Sequence, residues 1–348
     1  MKALLLLGGL GRRLRPFTVT TPKPLLTIAN IPLVEYQFAL LKKYGIVDVI
    51  LGLGYKGRDF KELTAIGKKM GMKATLSFEK KPLGTGGGIR NACKFLSAGG
   101  KKEPFLVFNG DVLADFNLEK LITYHREKSS DVTMGLVKVA DPSPYGLVLA
   151  GEGMRVEKFI EKPSRQDVVS DTVNAGVYIF NSPDMLKDIP ENEEISVERE
   201  VFPRFLKEGR SMFGYVHYGY WLDVGTVESF KKANFDVLEG RFNPDYRQKE
   251  DSGVDGKIIN EGKISMGKNS FIGEDTVIKG NVIIGDNCFV GRESLLQDTV
   301  ILSSSAVKNN CTVLNSVLGK EVYIGEYSSV KDSVFPDKSL LRPYSKMG

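Results

Sequence analysis

The chain has 348 residues, 42% hydrophobic and 26% charged, long enough for more than one domain, since single cores stop growing at roughly 250–300 residues. A net charge of +5 with no basic block argues against nucleic-acid binding and leaves room only for a local basic pocket. Cys93, Cys288 and Cys311 lie far apart without metal-ligand spacing and read as reduced thiols of a cytoplasmic protein, while the first apolar run is too short for a membrane span and lacks a cleavage site.

In chain order, Ala3–Leu7 reads as a buried strand, and it runs into "GGLGRRLRPFT". A dinucleotide fingerprint would need glycine where Leu14 stands, and the Gly-Lys-Ser/Thr of a P-loop is absent. What remains is the flexible backbone of Gly8, Gly9 and Gly11, whose N–H groups can face an anion, with Arg12, Arg13, Arg15 and Lys23 nearby. That set suits a triphosphate; the plainer alternative is a solvated basic loop. Leu33–Tyr44 follows as a helix, Asp48–Leu53 as a strand, Phe60–Met70 as a helix and Ala74–Phe78 as a strand. In "EKKPLGTGGGIRNACKF", Gly84, Gly86, Gly87 and Gly88 open another helix, either to let backbone approach a flat ligand or to make a tight turn.

Phe105–Asn109 is a buried strand with Asp111 just past its carboxyl end, where a carboxylate can hold Mg²⁺ against phosphate oxygens or simply start a turn. Asp131–Val139 and Asn174–Phe180 complete the strands. Glu161 and Lys162 of "KFIEKPS" offer an acceptor for sugar hydroxyls and a cation for a sugar phosphate, and Asn174 offers both donor and acceptor. In "YWLDVGTVESF", Asp223 precedes a helix from Val227 to Leu238 that Thr226 could cap. The two histidines, His125 and His217, lie outside these motifs, and no Ser/His/Asp or Cys/His arrangement is evident. Strands alternating with helices predict an α/β, Rossmann-like, mixed but mainly parallel sheet with helices on both faces and ligands at the carboxyl ends of its strands.

The polar stretch "EGRFNPDYRQKEDSG" reads as a linker, and beyond it Ile272, Ile278, Ile284, Val290, Leu296 and Leu302 recur every six residues; the phase then slips, and Leu318, Ile324 and Val330 resume it. A six-residue apolar period predicts a left-handed parallel β-helix. The predicted layout is a catalytic domain over 1–238, a linker over 239–256 and the β-helix over 257–340. No histidine follows His217, which argues against acyl transfer on the coils and for an assembly surface, hence a homo-oligomer.

Taken in order, "GGLGRRLRPFT", "TPKPLL", "EKKPLGTGGG", "NGD", "SPYGLV", "IEKPS", "NAGVYIF" and "YWLDVGT" resemble the sugar-1-phosphate nucleotidylyltransferases over nearly the whole chain. "EKKPLGTGG" and "SVEREVFPRFLKEG" resemble the branch that makes GDP-mannose from GTP and mannose 1-phosphate; other branches pair glucose 1-phosphate with thymidine, uridine or adenine nucleotides. The resemblance implies that Leu7–Arg13 wraps the nucleotide phosphates, that Arg13 stabilises departing pyrophosphate and that Lys23 meets phosphate oxygens. It implies nucleotide contacts at Leu7, Gly8, Gly9, Gly11, Arg12, Glu79, Pro82, Gly84, Thr85, Asn109 and Gly110, and Mg²⁺ on Asp111 and Asp223. It gives the sugar phosphate to Gly146, Glu161, Lys162, Asn174 and Gly176. Glu79 stands where the family meets the base edge. A carboxylate accepts the adjacent N1–H and N2–H₂ of guanine together, whereas facing the acceptors of thymine or uracil would cost roughly 1–3 kcal/mol. Two residues depart from the family pattern: Leu7 replaces Ala, and Arg12 replaces a small polar residue.

Overall fold

A computed structural model describes residues 1–54, 60–97, 103–242 and 258–348. From residue 243 onward the predicted linker lies outside the described residues. The chain divides into two compact units, residues 1–10 with 37–223 and residues 11–36 with 224–348.

The first unit is organised by a nine-stranded sheet. Its strands are β1 (Lys2–Leu6), β2 (Asp48–Leu53), β3 (Lys73–Phe78), β4 (Phe105–Asn109), β6 (Val132–Lys138), β7 (Gly146–Ala150), β8 (Val156–Glu161), β9 (Thr172–Phe180) and β10 (Met212–Val216). β5 (Val112–Ala114) and β11 (Trp221–Asp223) form a separate antiparallel pair. β1 reads KALLL and is wholly buried at Ala3, Leu4 and Leu5, because parallel strands lie on both its edges. β1, β2, β3 and β4 are mutually parallel neighbours. β9 runs antiparallel to β4, β6 and β7, which makes the sheet mixed.

Helices α1 (Leu33–Lys43), α2 (Phe60–Lys69), α3 (Gly84–Leu96), α4 (Leu118–Glu127) and α5 (Phe202–Lys207) accompany these strands. The core gathers Leu4, Ile50, Phe105, Val107, Met134, Tyr178, Phe180 and Phe202, with Phe105 stacked on Phe180 at 5.4 Å. Sequence reading missed β5, β7, β8, β10 and β11. β5 and β11 are three residues each and owe their extension to a cross-strand partner, while VEKFIE in β8 carries no clean alternation. His125 is buried on α4 with Nδ1 2.8 Å from the Thr133 hydroxyl, and burial lowers its pKa to about 4, as suits a structural imidazole.

The second unit holds α6 (Val227–Glu239) and a stack of parallel strands. Thr226 caps α6 in a capping box with Ser229. In the stack, Ile259 pairs with Val277, eighteen residues on, and Leu295 pairs with Thr312, seventeen on. Each coil turns at three corners held in the left-handed region. One row runs Asn269, Asn287, Ser304, Glu321 and Lys338, a second Asp275, Glu293, Asn310, Tyr327 and Tyr344, and a third Gly280, Asp298, Asn315 and Asp332. Asn, Asp and Gly tolerate that conformation best, which accounts for their recurrence in the tail.

The stack is thus a β-helix, and its coil shortens by one residue between Gln297 and Thr299. The phase slip therefore falls earlier than the sequence period suggested: Ile301, not Leu302, carries the row inside, followed by Val307, Val313 and Leu318. Hydroxyls and thiols bridge successive turns at the corners, Ser270 Oγ to the Gly285 carbonyl at 2.6 Å and Cys288 Sγ to that of Leu302 at 3.3 Å. Cys288 thus stands in a row with Ser270 and Ser305, Cys311 in another with Ser294 and Ser328, and all three cysteines are free and buried.

Residues 11–36 are tied into this unit. Asn234 Oδ1 accepts from the Ala29 N–H at 2.8 Å, Asn30 Nδ2 donates to the Ile284 carbonyl at 2.9 Å, and the Thr20 hydroxyl donates to Asp337. Among the described residues, no helix is long and apolar enough to cross a membrane.

Ile301→Ala is expected to cost about 2–5 kcal/mol through lost burial and the cavity left behind, read as a lowered melting transition. An unchanged transition would place the inner row elsewhere.

Candidate functional site

Parallel register puts Leu6 of β1 level with Gly52 of β2 and Asn109 of β4, so the segments that leave these strands emerge side by side. Three glycines let them meet. A Cβ on Gly54 would lie 2.6 Å from the Gly8 carbonyl, and one on Gly110 would lie 2.5 Å from both the Leu6 carbonyl and Leu7 Cδ2. Gly9, by contrast, faces open space.

Glu79 enters this edge directly after β3, its N–H donating to the Leu53 carbonyl at 3.0 Å. Its Oε1 sits between Gly8 and Gly88, where added Cβ atoms would come within 3.2 and 3.0 Å, and its Oε2 accepts from the Leu83 N–H at 3.2 Å. Burial raises its pKa to about 6, only partly offset by that hydrogen bond. The carboxylate is therefore kept half-buried at a cost, with a shape that only glycine neighbours permit.

Asp111 occupies the turn between β4 and β5, and Asp223 ends β11 opposite Val112, the residue after Asp111. The β5–β11 pair is what brings the two aspartates to neighbouring register. Gln37 on α1 braces the same turn: its Nε2 donates to the carbonyls of Asn109 at 3.0 Å and Val112 at 3.1 Å, on either side of Asp111. Sequence reading missed Gln37, which looks like one more residue of an amphipathic helix. Among the described residues no group of three or more His, Cys, Asp or Glu gathers as a metal site. Two carboxylates at neighbouring register are nonetheless a donor set of the kind that a divalent cation would accept.

On β9 the pairing with β6 slips between Asn174 and Tyr178, a bulge centred on Gly176 at φ +71°. A Cβ there would lie 2.7 Å from Asn109 Nδ2. The bulge frees the Ala175 carbonyl to accept from Trp221 Nε1 at 2.9 Å and orients Asn174, whose Oδ1 accepts from the Gly176 N–H at 3.0 Å. Gly146 pairs with Glu161 across β7 and β8, and a Cβ on it would strike Phe159 at 2.5 Å and Glu161 Oε2 at 2.9 Å. Lys162 follows at φ +51°, backbone strain of the sort that accompanies functional sites. Burial raises the Glu161 pKa, and Glu198 raises it further against Lys162 and Arg199.

Other predicted residues make contacts within the protein. Gly84, at φ +67°, and Gly86 and Gly87 admit the backbone of residues 193–197 against α3. The Thr85 hydroxyl donates to Glu198 at 2.6 Å and accepts from the Val197 N–H at 2.9 Å, while Pro82 is exposed. In the second unit Gly11, at φ +57°, starts a single helical turn, Arg12–Leu14, with Arg12 and Arg13 exposed; Lys23 begins another, Lys23–Leu25, and is half-buried.

Raised above its ordinary 4.5, the Glu79 pKa makes the folded protein gain stability as pH falls from above about 6 toward 4.5. Glu79→Gln should therefore melt a few degrees above the parent at pH 8, with the gap closing near pH 4.5. A gap independent of pH would show that Glu79 is not held ionised against its surroundings.

Residues 2–240 match the family model described as Nucleotidyl transferase, and residues 260–341 match the one described as GMPPB C-terminal domain. The chain is 41% identical over 239 residues to Mannose-1-phosphate guanylyltransferase of Mycobacterium tuberculosis, an alignment that covers 68% of this chain and spans only 65% of that relative's length. It is 34% identical over 344 residues to Probable mannose-1-phosphate guanylyltransferase 3 of Oryza sativa subsp. japonica, covering 95% of this chain and 90% of that one. The crystal structure of HddC from Yersinia pseudotuberculosis complexed with GMP-PN superposes with a TM-score of 0.56 at 30% identity, over 68% of this chain and 99% of that one. With a family model that spans 239 of its residues, from 2 to 240, the chain belongs to the nucleotidyl transferase family.

Proposed function

We propose that the protein is a mannose-1-phosphate guanylyltransferase, forming GDP-mannose and pyrophosphate from GTP and mannose 1-phosphate. The β5–β11 pairing carries this reading, because it sets Asp111 and Asp223 at neighbouring register beside the turn that leaves β4. The names of the two relatives above support the choice of substrates, and Glu79 in its glycine cradle supports guanine.

In the proposed reaction a phosphate oxygen of the sugar phosphate attacks the α-phosphorus, the bond to the β-phosphate breaks, and pyrophosphate leaves. Both reactants are anions, so the work is charge neutralisation and alignment, with no protein nucleophile. Arg13 and Lys23 supply cationic charge to phosphate oxygens, Arg13 to the leaving pyrophosphate. Backbone N–H groups of Gly8, Gly9 and Gly11 supply neutral donors, and Arg12 adds charge at the mouth of the same loop. Glu79 accepts from guanine N1–H and N2–H₂. Lys162 meets the sugar phosphate, while Glu161 and Asn174 hold its hydroxyls, with Gly146 and Gly176 keeping that surface open to close approach. Asp111 and Asp223 are the residues that would hold Mg²⁺, which draws negative charge from phosphate oxygens when bound.

We place the catalytic domain at 1–238 and the β-helix at 257–340, and assign the molecule to the cytoplasm as a homo-oligomer assembled through the β-helix. An outward row of Phe271, Phe289, Ala306, Tyr323 and Leu340, one per coil, supports the assembly. Phe271 stacks on Phe289 at 5.5 Å and both are part-exposed. Light scattering at micromolar concentration should return a multiple of the 38.5 kDa chain mass, and a monomer would refute the assembly.

Turnover of GTP, dTTP, UTP and ATP, each with mannose or glucose 1-phosphate, tests the reading; GTP with mannose 1-phosphate should be fastest, and a preference for dTTP or UTP overturns the guanine assignment. Asp111→Asn and Asp223→Asn should each lower kcat by about two orders of magnitude, as loss of a charge-stabilising group does. Full activity in either variant removes that aspartate from the metal set.

A further inference from the structure

Glu198 lies in "SVEREVFPRFLKEG", a stretch given no chemical role above, and is 9% exposed. Its partners are three hydroxyls. Oε2 accepts from Thr85 Oγ1 at 2.6 Å and Ser196 Oγ at 2.9 Å, and Oε1 accepts from Tyr178 OH at 3.4 Å. Tyr178, wholly buried on β9, in turn accepts from Asn174 Nδ2 at 2.6 Å, and Asn174 Oδ1 accepts from the Gly176 N–H at 3.0 Å.

The direction of this relay is set at both ends: the Gly176 N–H can only donate and holds Asn174 Oδ1, and the Glu198 carboxylate can only accept. A carboxylate only accepts, so the single Tyr178 hydroxyl hydrogen goes to Glu198, and the tyrosine oxygen must receive from its other neighbour. Asn174 therefore turns its NH₂ to Tyr178 and its carbonyl oxygen to Gly176. If residue 198 could donate, the tyrosine hydrogen would be turned toward the Asn174 NH₂, which the Gly176 N–H keeps on that side by occupying Oδ1, and the Tyr178–Asn174 hydrogen bond would be lost. We infer that Glu198 is a positioning residue for the sugar-phosphate half of the site, locking the Asn174 amide through Tyr178 and adding negative charge beside Glu161. The inference rests on the sugar-phosphate role proposed above for Asn174 and Glu161.

Glu161 makes the charge measurable. Burial raises its pKa first and Glu198 next, while Lys162 and Arg199 lower it; Tyr178, whose own pKa burial and both carboxylates raise, is a further titratable neighbour. Neutralising residue 198 removes one raising influence, so Glu161 stays ionised to lower pH.

The test is steady-state kinetics from pH 5 to 9 on the full-length protein and its Glu198→Gln, Tyr178→Phe and double variants, with melting curves alongside. Glu198→Gln and Tyr178→Phe should each raise KM for mannose 1-phosphate about tenfold while KM for GTP stays within about twofold, with no further rise in the double variant, as two members of one relay require. The acid limb of kcat/KM for the sugar phosphate should move to lower pH in Glu198→Gln and stay in place in Tyr178→Phe. An unchanged KM, or both KM values rising together with a fallen melting transition and an unmoved acid limb, overturns the inference and makes Glu198 a packing group. A parent protein inactive on every nucleotide and sugar-phosphate pair overturns the proposed function itself, and the inference with it, through a result no variant enters.

Discussion

Pairing of β1 with a parallel strand on each edge is the constraint that the first unit depends on. A strand with both edges hydrogen-bonded and both faces buried has no freedom of register, because a slip of one residue would turn its apolar side chains over and strand its backbone groups. Once Leu6 is level with Gly52 and Asn109, the residues beyond them are forced to share one edge of the sheet. The crowding there is relieved by glycine at Gly8, Gly54 and Gly110, where any larger residue would meet backbone or the Leu7 side chain.

Around that edge the protein sets carboxylates in surroundings that do not favour them. Glu79 and Glu161 both have raised pKa values with burial as the first cause, and Glu198 is buried among hydroxyls. Buried charge costs free energy unless it is paired or solvated by polar partners, and the hydroxyls around Glu198 are such partners. Glu79 offers two acceptor atoms in a fixed orientation. Glu198, in the helical segment Val197–Val201, joins Tyr178 and Asn174 of β9 in a polar cluster whose hydrogen-bond directions are mutually determined, and Glu161 ends β8.

The second unit solves a different problem, stacking short strands without an exposed ladder inside. Its corners stay in the left-handed region at Asn, Asp, Gly and a few larger residues, and corner hydroxyls and thiols bridge consecutive turns. Losing one residue per coil after Gln297 shifts the apolar row without breaking it, since Ile301 and Val307 keep the inward place that Ile284 and Val290 hold one coil earlier. The segment 11–36, which bears Arg12, Arg13 and Lys23, is anchored in this unit through Thr20, Ala29 and Asn30.

Strong local signals made much of this legible in the sequence. The apolar strands β1, β2 and β4, helices α1, α3 and α6 and the six-residue period are each dictated by residues adjacent in the chain, and so is the choice of Gly-rich turn, aspartates and Glu161–Lys162 as the chemistry-bearing stretches. The family motifs could be read because each is a short unbroken string. Long-range partners could not be read. Strands β5 and β11 exist only because each pairs with the other, and the neighbourhood of Asp111 and Asp223 follows from that pairing over 112 positions of chain, from 111 to 223. Gln37, the packing role of Gly84, Gly86 and Gly87, and the hydroxyl relay at Glu198 depend on which distant backbone arrives beside them. The sequence by itself determined the strongly periodic elements and the candidate residues for chemistry, because periodicity and turn preference act within a few residues. Which of those residues meet, which way their amides point and which glycines are spent on packing was decided by the tertiary structure, because hydrogen-bond direction and steric fit are set by atoms far apart in the chain.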